Sequence, residues 1–582
     1  MRRLAAGLDR ARRSRSRTGK EEAIGAAFAS VAGDDDLALA CAARIASGRT
    51  LPVGDGRSLG VGWSLMLDVV RGATGYDDEV LGACARKAGE LAEAFALLVA
   101  RIPGAEARPG VDLADVGRLA EALAREPARA GKRALLDDAF ARATPLETKY
   151  LAKALGGGMR IGAQEGVVLG AIARAFGASL GDVRRAAALV TDLGALALLA
   201  RDGRLGEARL VVGSPVAFML ATPIETVASA IDRDAYVAED KIDGVRTQAH
   251  RGQDGRVVLF ARGLDRVTDA FPEIVDALKD APSPVVLDGE IVAVAESGRP
   301  RPFQALQPRL KKTRPTQEDL AEARVVLVAF DLLADASGPL LDLPWRERRA
   351  RLDAFVRSLG PASAIVSNPA APLPAHETLE GAIDAAFTAA RDRGHEGLVL
   401  KRADAAYDAG HRGQAWLKVK RAQATLDCVV IGAEEGHGRR AGVLSDYTFA
   451  VWRGDELATV GKAYSGLTDE EIDAMTRRLE ELTVERVGGL RRVRPEIVLE
   501  VAFDGVQRSA RHPSGFALRF PRILRIRDDK RPEEADRVEA VEALLDAQVA
   551  TGHRERDAGG GGKKKRARKP KSQLSLFGDD ES

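Results

Sequence analysis

Six short segments, in one order along the chain, contain most of the residues whose side chains are suited to chemistry. The first segment, at 239–246, has the sequence EDKIDGVR and contains Lys241. A lysine amine attacks phosphorus only when it is unprotonated, and burial or nearby cations favour that form. Lys241 is therefore a candidate nucleophile. An isolated segment of this kind would more often be a charged turn at the protein surface. The other segments are VLDGE at 286–290, FDL at 330–332, EGLVLK at 396–401, WLKVK at 416–420 and RDDK at 527–530.

Two acidic residues stand at the ends of predicted strands. Glu290 ends one apolar run, and Glu396 precedes the run at 398–400. Two such carboxylates are suited to hold Mg²⁺, or Mn²⁺ in its place, against a phosphate. Each acid alone fits a simple strand edge equally well, but their order behind Lys241 favours a metal site.

Aromatic and cationic residues complete the set. Phe330 closes an apolar run and offers a flat face to a purine, although core packing is the commoner role of a phenylalanine. Lys418 and Lys420 alternate along a predicted strand and so point to one face, and Arg412 lies six residues before Lys418. Such cations suit phosphates, so the six segments together predict a nucleotidyl transferase.

Composition sets the broad limits. With 582 residues, 45% of them hydrophobic, the chain is long enough for three or four packed domains. The 87 basic and 85 acidic residues nearly balance, so global charge does not indicate nucleic acid. Three scattered cysteines exclude a disulfide framework and a four-cysteine zinc site. No apolar run has the length of a signal peptide or membrane span, which predicts a cytoplasmic protein.

The pattern of the chain changes three times. Residues 1–205 are predicted to be helical, with Ala-rich helices at 133–143, 164–176 and 181–202 and one amphipathic helix over 81–98. Short β-branched runs mixed with helices predict an α and β domain at 206–422. Strands around one helix at about 468–483 predict a small β-barrel at 423–545. Residues 546–582 hold glycines and a basic run, and we expect a disordered tail.

These segments resemble those of the ATP-dependent DNA ligases, members of the covalent nucleotidyltransferase superfamily, and the similarity extends to about residue 545. The resemblance implies an all-α DNA-binding domain, an α+β adenylation domain of the ATP-grasp-like ligase type and an OB-fold barrel. It also implies the reaction. Lys241 takes AMP from ATP as a phosphoramidate, the AMP passes to the 5′-phosphate of a nick, and the 3′-hydroxyl displaces it.

The resemblance also assigns roles to residues that match the family's motifs. Arg527 and Lys530 belong to the final motif on the barrel, where they orient the pyrophosphate leaving group. The barrel must therefore close on the adenylation domain and later move away. The implied nucleotide contacts are Glu239 with the adenine amino group, Arg246 and Arg262 with ribose and phosphate, Glu290 and Glu396 with ribose or metal, Phe330 with the base, and Arg412, Lys418 and Lys420 with phosphate.

The N-terminal region resembles the helical DNA-binding domain of the larger ligases. The similarity lies at 146–151 and at 158–162, where Arg160 is suited to a backbone phosphate. It implies a monomer that encircles nicked duplex DNA, most similar to bacterial ligases associated with repair and with the nucleoid. NAD⁺-dependent ligases carry a four-cysteine zinc module that this chain lacks, so ATP is the expected donor.

The tail carries a second resemblance. Seven of the nine residues at 563–571 are Lys or Arg, and QLSLF follows at 573–577. The pentapeptide resembles the sliding-clamp motif of bacterial replication and repair proteins. In that case Leu576 and Phe577 fill an apolar pocket of the clamp, and Gln573 forms a hydrogen bond at the rim of that pocket. Leu574 belongs to the same set of clamp-binding residues. A tail with a chance apolar patch is the alternative.

Two other functions compete with the DNA ligase. An RNA ligase or a capping guanylyltransferase would share Lys241 and the barrel, but the large helical region and the complete final motif disfavour both. A non-catalytic nick-binding protein predicts the loss of some reactive residues, whereas all the candidates are present.

Overall fold

The computed structural model contains two compact units, Met1–Arg421 and Ala422–Ser582. No helix among the described residues is long and apolar enough to cross a membrane. The structure describes residues 1–224, 231–301, 303–310, 312, 314–419, 424–436, 440, 442–487 and 489–552.

The first unit begins with helices that share one large apolar core. Residues 1–224 are described without a gap, and their first strand comes only at Leu220. The helices before it are α1 (Arg2–Arg13), α2 (Arg17–Val31), α3 (Asp36–Ala46), α4 (Trp63–Thr74), α5 (Asp78–Ala88), α6 (Leu91–Val99), α7 (Leu113–Arg125), α8 (Arg129–Arg142), α9 (Pro145–Leu155), α10 (Glu165–Phe176), α11 (Leu180–Leu189) and α12 (Leu193–Arg201).

The single helix expected over 81–98 is wrong, because the structure has two helices there. Gly89 follows α5 with a φ of 75°, a left-handed conformation that commonly ends helices and that glycine adopts without strain. The segment expected at 181–202 also divides, into α11 and α12. The carboxylate of Asp192 accepts a hydrogen bond from Ala195 N and so begins the second of these helices.

The rest of the first unit mixes strands and helices. The helices are α13 (Pro272–Leu278), α14 (Gln307–Leu310), α15 (Gln317–Glu322), α16 (Trp345–Ser358) and α17 (Leu379–Asp392). The strands are β1 (Leu220–Pro223), β2 (Tyr236–Lys241), β3 (Val245–Arg251), β4 (Val257–Ala261), β5 (Val285–Ala293), β6 (Val325–Asp335), β7 (Gly338–Pro339), β8 (Ile365–Ser367), β9 (Ala370–Pro372), β10 (Gly397–Arg402) and β11 (Arg412–Val419).

These strands form two sheets. The first has the order β1-β11-β10-β2-β9, and the second has the order β4-β3-β5-β6-β7 with β8 beside β6. The chain crosses from one sheet to the other between Lys241 and Val245. A Cβ on Gly244 would lie 2.3 Å from Ile291 O, so only glycine fits this crossing.

A buried ion pair fixes α16 on the second sheet. Arg348 and Asp331 have no exposed surface, and the guanidinium donates two hydrogen bonds of 2.7 and 2.9 Å to the carboxylate. The same guanidinium donates to Ala405 O at 3.1 Å. The pair therefore joins α16, β6 and the segment after β10.

The second unit is rich in strands. The long strand β12 (Ala424–Glu435) pairs with β13 (Leu444–Arg453) and β16 (Leu490–Val493) along one half and with β17 (Val498–Phe503) along the other. The strand-rich fold and its inserted helix confirm the predicted fold class, but the last helix continues to Gly552 and so includes the first residues of the tail expected from 546. The elements of the second unit are, in chain order, β12 (Ala424–Glu435), β13 (Leu444–Arg453), β14 (Glu456–Ala463), α18 (Asp469–Leu482), β15 (Thr483–Val487), β16 (Leu490–Val493), β17 (Val498–Phe503), β18 (Gly505–Arg508), β19 (Phe516–Arg519), β20 (Arg522–Ile526) and α19 (Val538–Gly552).

We expect Arg348→Met to lower the free energy of unfolding by about 3–5 kcal/mol, because Asp331 would keep a buried charge without a partner. Arg351→Met is the matched control, since Arg351 pairs with Asp335 at 2.9 Å on the exposed side of α16. Its cost should stay below about 1 kcal/mol. Urea denaturation of both variants measures the difference, and equal costs would contradict the prediction.

Candidate active site

Lys241 lies at the end of β2, beside the start of β10. Gly397 is its partner across the two antiparallel strands, and Glu396 N donates to Lys241 O at 3.0 Å. The ammonium of Lys241 forms an ion pair with the Glu396 carboxylate. About a fifth of each side chain is exposed. The amine is therefore held in place and is still open to a bound molecule.

Glu290 belongs to the neighbouring second sheet. It lies in β5 opposite Arg246 of β3 and is half-buried. The pKa of Glu290 is raised to about 8, chiefly because burial disfavours its charge, while Arg246 and Lys241 favour it. The charge of Lys241 acts on this carboxyl group. The two sheets therefore place both predicted metal ligands near the predicted nucleophile.

Arg246 is enclosed by acidic and aromatic groups. Its Nη2 donates to Asp288 at 2.8 Å, and its Nη1 donates to Met219 O at 2.7 Å. The guanidinium lies 5.5 and 5.4 Å from the ring centroids of Phe330 and Trp416. Arg246 is thus held between an acid and two aromatic rings, and its contact with ribose or phosphate stays a prediction.

Phe330 is half-buried in β6, and its ring meets Trp416 edge-on at 5.8 Å. The ammonium of Lys401 donates to Phe330 O at 2.7 Å. It also lies 4.5 and 4.4 Å from the two ring centroids. Sequence reasoning did not single out Lys401, yet a lysine that ends an apolar strand was a usable signal. It fixes the main chain beneath the ring predicted to stack on the base.

Glu239 is buried among three polar partners. Its carboxylate lies 2.9 Å from Lys401 Nζ and 3.2 Å from Arg349 Nη1, and it accepts a hydrogen bond of 3.2 Å from Asn368 Nδ2. Burial raises the pKa of Glu239. Arg349 and Asn368 were missed, because they lie more than 100 residues away in the chain. The predicted contact of Glu239 with adenine stays a prediction.

The other predicted phosphate contacts are less enclosed. Arg262 is exposed just after β4, and Arg412 is exposed at the start of β11. Lys418 is half-buried near the end of β11, opposite Val399 of β10. Lys420 lies outside the described residues.

In the second unit, Arg527 and Lys530 share one acidic partner. Arg527 Nη1 donates to both oxygens of Asp427 at 3.1 and 3.0 Å, and Lys530 Nζ donates to one of them at 2.5 Å. The structure thus brings together the two cations of the RDDK segment. The proposed clamp residues Gln573, Leu574, Leu576 and Phe577 lie outside the described residues.

Arg160 is exposed in the loop between α9 and α10, with a φ of 44°. Two lysines hold the loop from beneath. Lys153 donates to Met159 O at 3.3 Å, and Lys20 donates to Ile161 O and to Gly162 O, both at 3.1 Å. The loop is thereby shaped around its backbone, while the side chain of Arg160 faces solvent.

A divalent cation has two carboxylates available at this site. Within the described ranges, no cluster of three or more His, Cys, Asp or Glu side chains is arranged for a metal. Mg²⁺ often uses one or two carboxylates together with substrate phosphates, and Glu290 and Glu396 match that mode. The pair fits a cation that arrives with its nucleotide better than a permanently bound one.

Comparison with known proteins gives consistent matches along the chain. Three protein-family models match the chain: "DNA ligase N terminus" at residues 1–173, "ATP dependent DNA ligase domain" at 218–420 and "ATP dependent DNA ligase C terminal region" at 440–530.

Two curated relatives span most of the chain. It is 41% identical over 523 residues to a "Probable DNA ligase" of Koribacter versatilis (strain Ellin345), covering 86% of this chain and 89% of that protein. It is 36% identical over 520 residues to a "DNA ligase" of Thermococcus onnurineus (strain NA1), covering 86% and 90%.

The solved structure "Pmar-Lig_PreS3" shares the fold, with a TM-score of 0.54 and 18% identity over 90% of this chain and 99% of that one. The models and relatives all describe DNA ligases, so the alternatives of an RNA ligase, a capping enzyme and a non-catalytic binder lose their support. The chain therefore belongs to the family of ATP-dependent DNA ligases.

Proposed function

We propose that the protein seals nicks through a covalent adduct on Lys241. The amine attacks the α-phosphorus of ATP, the bond to the β-phosphate breaks, and pyrophosphate leaves while the nitrogen loses a proton. The 5′-phosphate of the nick then takes AMP and releases the amine. The 3′-hydroxyl finally attacks the phosphorus of the adenylylated 5′-phosphate, which joins the two DNA ends and releases AMP. The observation that carries this assignment is the contact of Lys241 with Glu396 beside Glu290.

The contact with Glu396 suits a nucleophile that waits for its substrate. The ion pair with Glu396 engages the Lys241 amine, whereas attack on phosphorus needs the amine lone pair to be available. We propose that Glu396 turns from Lys241 toward the nucleotide when ATP binds. The same movement would let Glu396 and Glu290 hold Mg²⁺, or Mn²⁺, which supplies positive charge to the phosphates.

The remaining residues are assigned by their surroundings. Phe330 stacks on adenine, since its ring is half-buried and its main chain is held by Lys401. Glu239 accepts from the adenine amino group once one of its buried partners yields. Phosphate and ribose contacts fall to the cations Arg246, Arg262, Arg412, Lys418 and Lys420, with Arg527 and Lys530 acting from the barrel.

We also propose a division of labour along the chain. The helical domain at 1–205 binds DNA, the domain at 206–422 carries out adenylation, the barrel at 423–545 closes on the nucleotide, and the tail at 546–582 recruits a partner. A monomer in the bacterial cytoplasm that acts in DNA repair or replication suits this arrangement. The resemblance to bacterial repair ligases supports this proposal, and a probable DNA ligase of the bacterium Koribacter versatilis is among the relatives of the chain.

We expect Lys241→Ala to abolish covalent labelling of the protein by α-labelled ATP and Mg²⁺, because no amine remains to accept AMP. Lys312→Ala is the control, since Lys312 pairs with Asp319 at the surface of the same unit. It should label like the wild type, and EDTA should prevent labelling of every form. Equal labelling of wild type and Lys241→Ala would show that the nucleophile lies elsewhere.

Arg160→Ala should weaken binding to nicked duplex DNA and make it less dependent on salt. Loss of one phosphate contact lowers the slope of log K against log salt by about 0.9. Arg185→Ala removes an exposed arginine of α11 that pairs with Asp182, and it serves as the control. Fluorescence anisotropy between low and moderate salt measures both slopes. An unchanged slope in Arg160→Ala would remove this contact from the model of DNA binding.

In the tail, Leu576→Ala or Phe577→Ala should weaken binding of the full chain to a bacterial sliding clamp. Each removes an apolar anchor, so a loss of about 2 kcal/mol or more is expected. Ser575→Ala, between the anchors, should bind like the wild type. Surface plasmon resonance on the immobilised clamp compares the three variants. Equal weak binding by all of them would mark the segment as a chance apolar patch.

A further inference from the structure

The turn that carries Glu396 is fastened to β2 by a side chain. This turn, residues 393–396, connects α17 to β10. Arg393 donates to the Asp240 carboxylate through Nε at 2.8 Å and Nη2 at 2.6 Å, and His395 Nε2 lies 3.4 Å from the same carboxylate. Asp240 is the residue before Lys241, so one carboxylate next to the nucleophile holds two side chains of the turn.

The main chain of the turn is held mostly at its other end. His395 N donates to Ala390 O at 3.0 Å, and Arg391 Nη1 donates to His395 O at 3.2 Å. Gly394 has a φ of 90°, which lets the chain leave α17 sharply. Toward the site, a main-chain hydrogen bond joins Glu396 N to Lys241 O. Apart from the ion pair of Lys241 with Glu396 itself, the described side-chain contacts that link β2 to the turn are those of Asp240.

Strand geometry separates Asp240 from the nucleotide. Side chains alternate along a strand, so Glu239 and Lys241 share one face of β2 while Asp240 points to the other. Asp240 is only 5% exposed, and a buried carboxylate needs hydrogen-bond partners. A bidentate arginine supplies them with a defined geometry. Asp240 is therefore placed to orient the turn without touching the substrate.

We propose that Asp240, Arg393 and His395 form a positioning cluster that sets Glu396 against Lys241. This rests on the proposed role of Lys241 as the nucleophile. Without the cluster, Glu396 samples several positions and is less often placed to turn from Lys241 toward the nucleotide, so formation of the lysine–AMP adduct slows. ATP binding is retained, because Glu239 and Lys241 lie on the opposite face of β2 from Asp240.

Asp240→Asn and Arg393→Gln test the cluster in the full chain. Each should lower the rate of adduct formation at saturating ATP by about 10-fold to 100-fold, as small misplacements of catalytic groups do. The KM for ATP should change by less than about twofold. Hydrogen exchange, followed by mass spectrometry, should become faster in peptides covering 393–397. The double variant should be no slower than either single one, because both break the same link.

Arg402→Gln is the matched control. It breaks a similar bidentate pair, with Asp404 at 2.7 and 3.1 Å, at the opposite end of β10. It should leave adduct formation and exchange at 393–397 unchanged.

A normal rate in Asp240→Asn and Arg393→Gln would overturn the positioning cluster while leaving Lys241 as the nucleophile. An equal loss of the rate of adduct formation in Arg402→Gln would also overturn it, because the effect would then be a general one on stability. Arg393 is about half exposed, so its variant should fold even if Asp240→Asn does not. Labelling of Lys241→Ala would refute the underlying function instead.

Discussion

Lys241 and Glu396 meet because Lys241 pairs with Gly397 across two antiparallel strands, which brings the preceding residue against the lysine side chain. A slip of one residue in this register would turn every side chain of β2 to the opposite face. Lys241, the proposed nucleophile, would then leave the site and Asp240 would enter it. The register of β2 on β10 is thus the constraint from which the rest of the site follows.

The second sheet has to be fixed against this register, because it carries Glu290 and Phe330. The crossing at Gly244 permits no side chain, which leaves the two sheets little freedom where they meet. Farther from the crossing, Lys401 of the first sheet reaches Phe330 O of the second. The bonds of Arg348 with Asp331 and Ala405 O extend the same connection through α16. These polar contacts act together with an apolar cluster that packs Val286 and Leu333 of the second sheet with Trp416 of the first.

Local patterns predicted the elements that depend on local signals. The Ala-rich helix expected at 164–176 matches α10, which ends before the left-handed Gly177, and the capping box of Thr468 begins the helix expected in the barrel. The helix expected at 81–98 failed at Gly89, where a left-handed glycine outweighed a continuous apolar pattern. β15, β16 and β20 are short and rich in charge, so their sequences carry little apolar pattern from which a strand could be predicted.

The residues of the candidate site also fall into two groups, those that the local sequence marks and those that it does not. Lys241, Glu290, Glu396 and Phe330 were found because residue type and order along the chain mark them. Arg349, Asn368 and the contacts of Asp240 were not, since their partners lie more than 100 residues away. A charge inside an apolar strand looks like a solvated edge until tertiary structure supplies its partner. For that reason the candidate reacting groups could be proposed from the sequence, whereas the groups that contact and orient them could not.

Those orienting groups explain why so much charge is buried around one phenylalanine. Arg246 and Lys401 both lie against the rings of Phe330 and Trp416, and each is paired with a buried acid. Burying such pairs costs desolvation energy that their attraction barely offsets, so they add little to stability. They do fix ring and backbone in one arrangement before any nucleotide arrives. For the proposed stacking of the base on Phe330, the ring is then already placed, and only the partners of Glu239 and Glu396 have to rearrange before the α-phosphorus lies in line with Lys241.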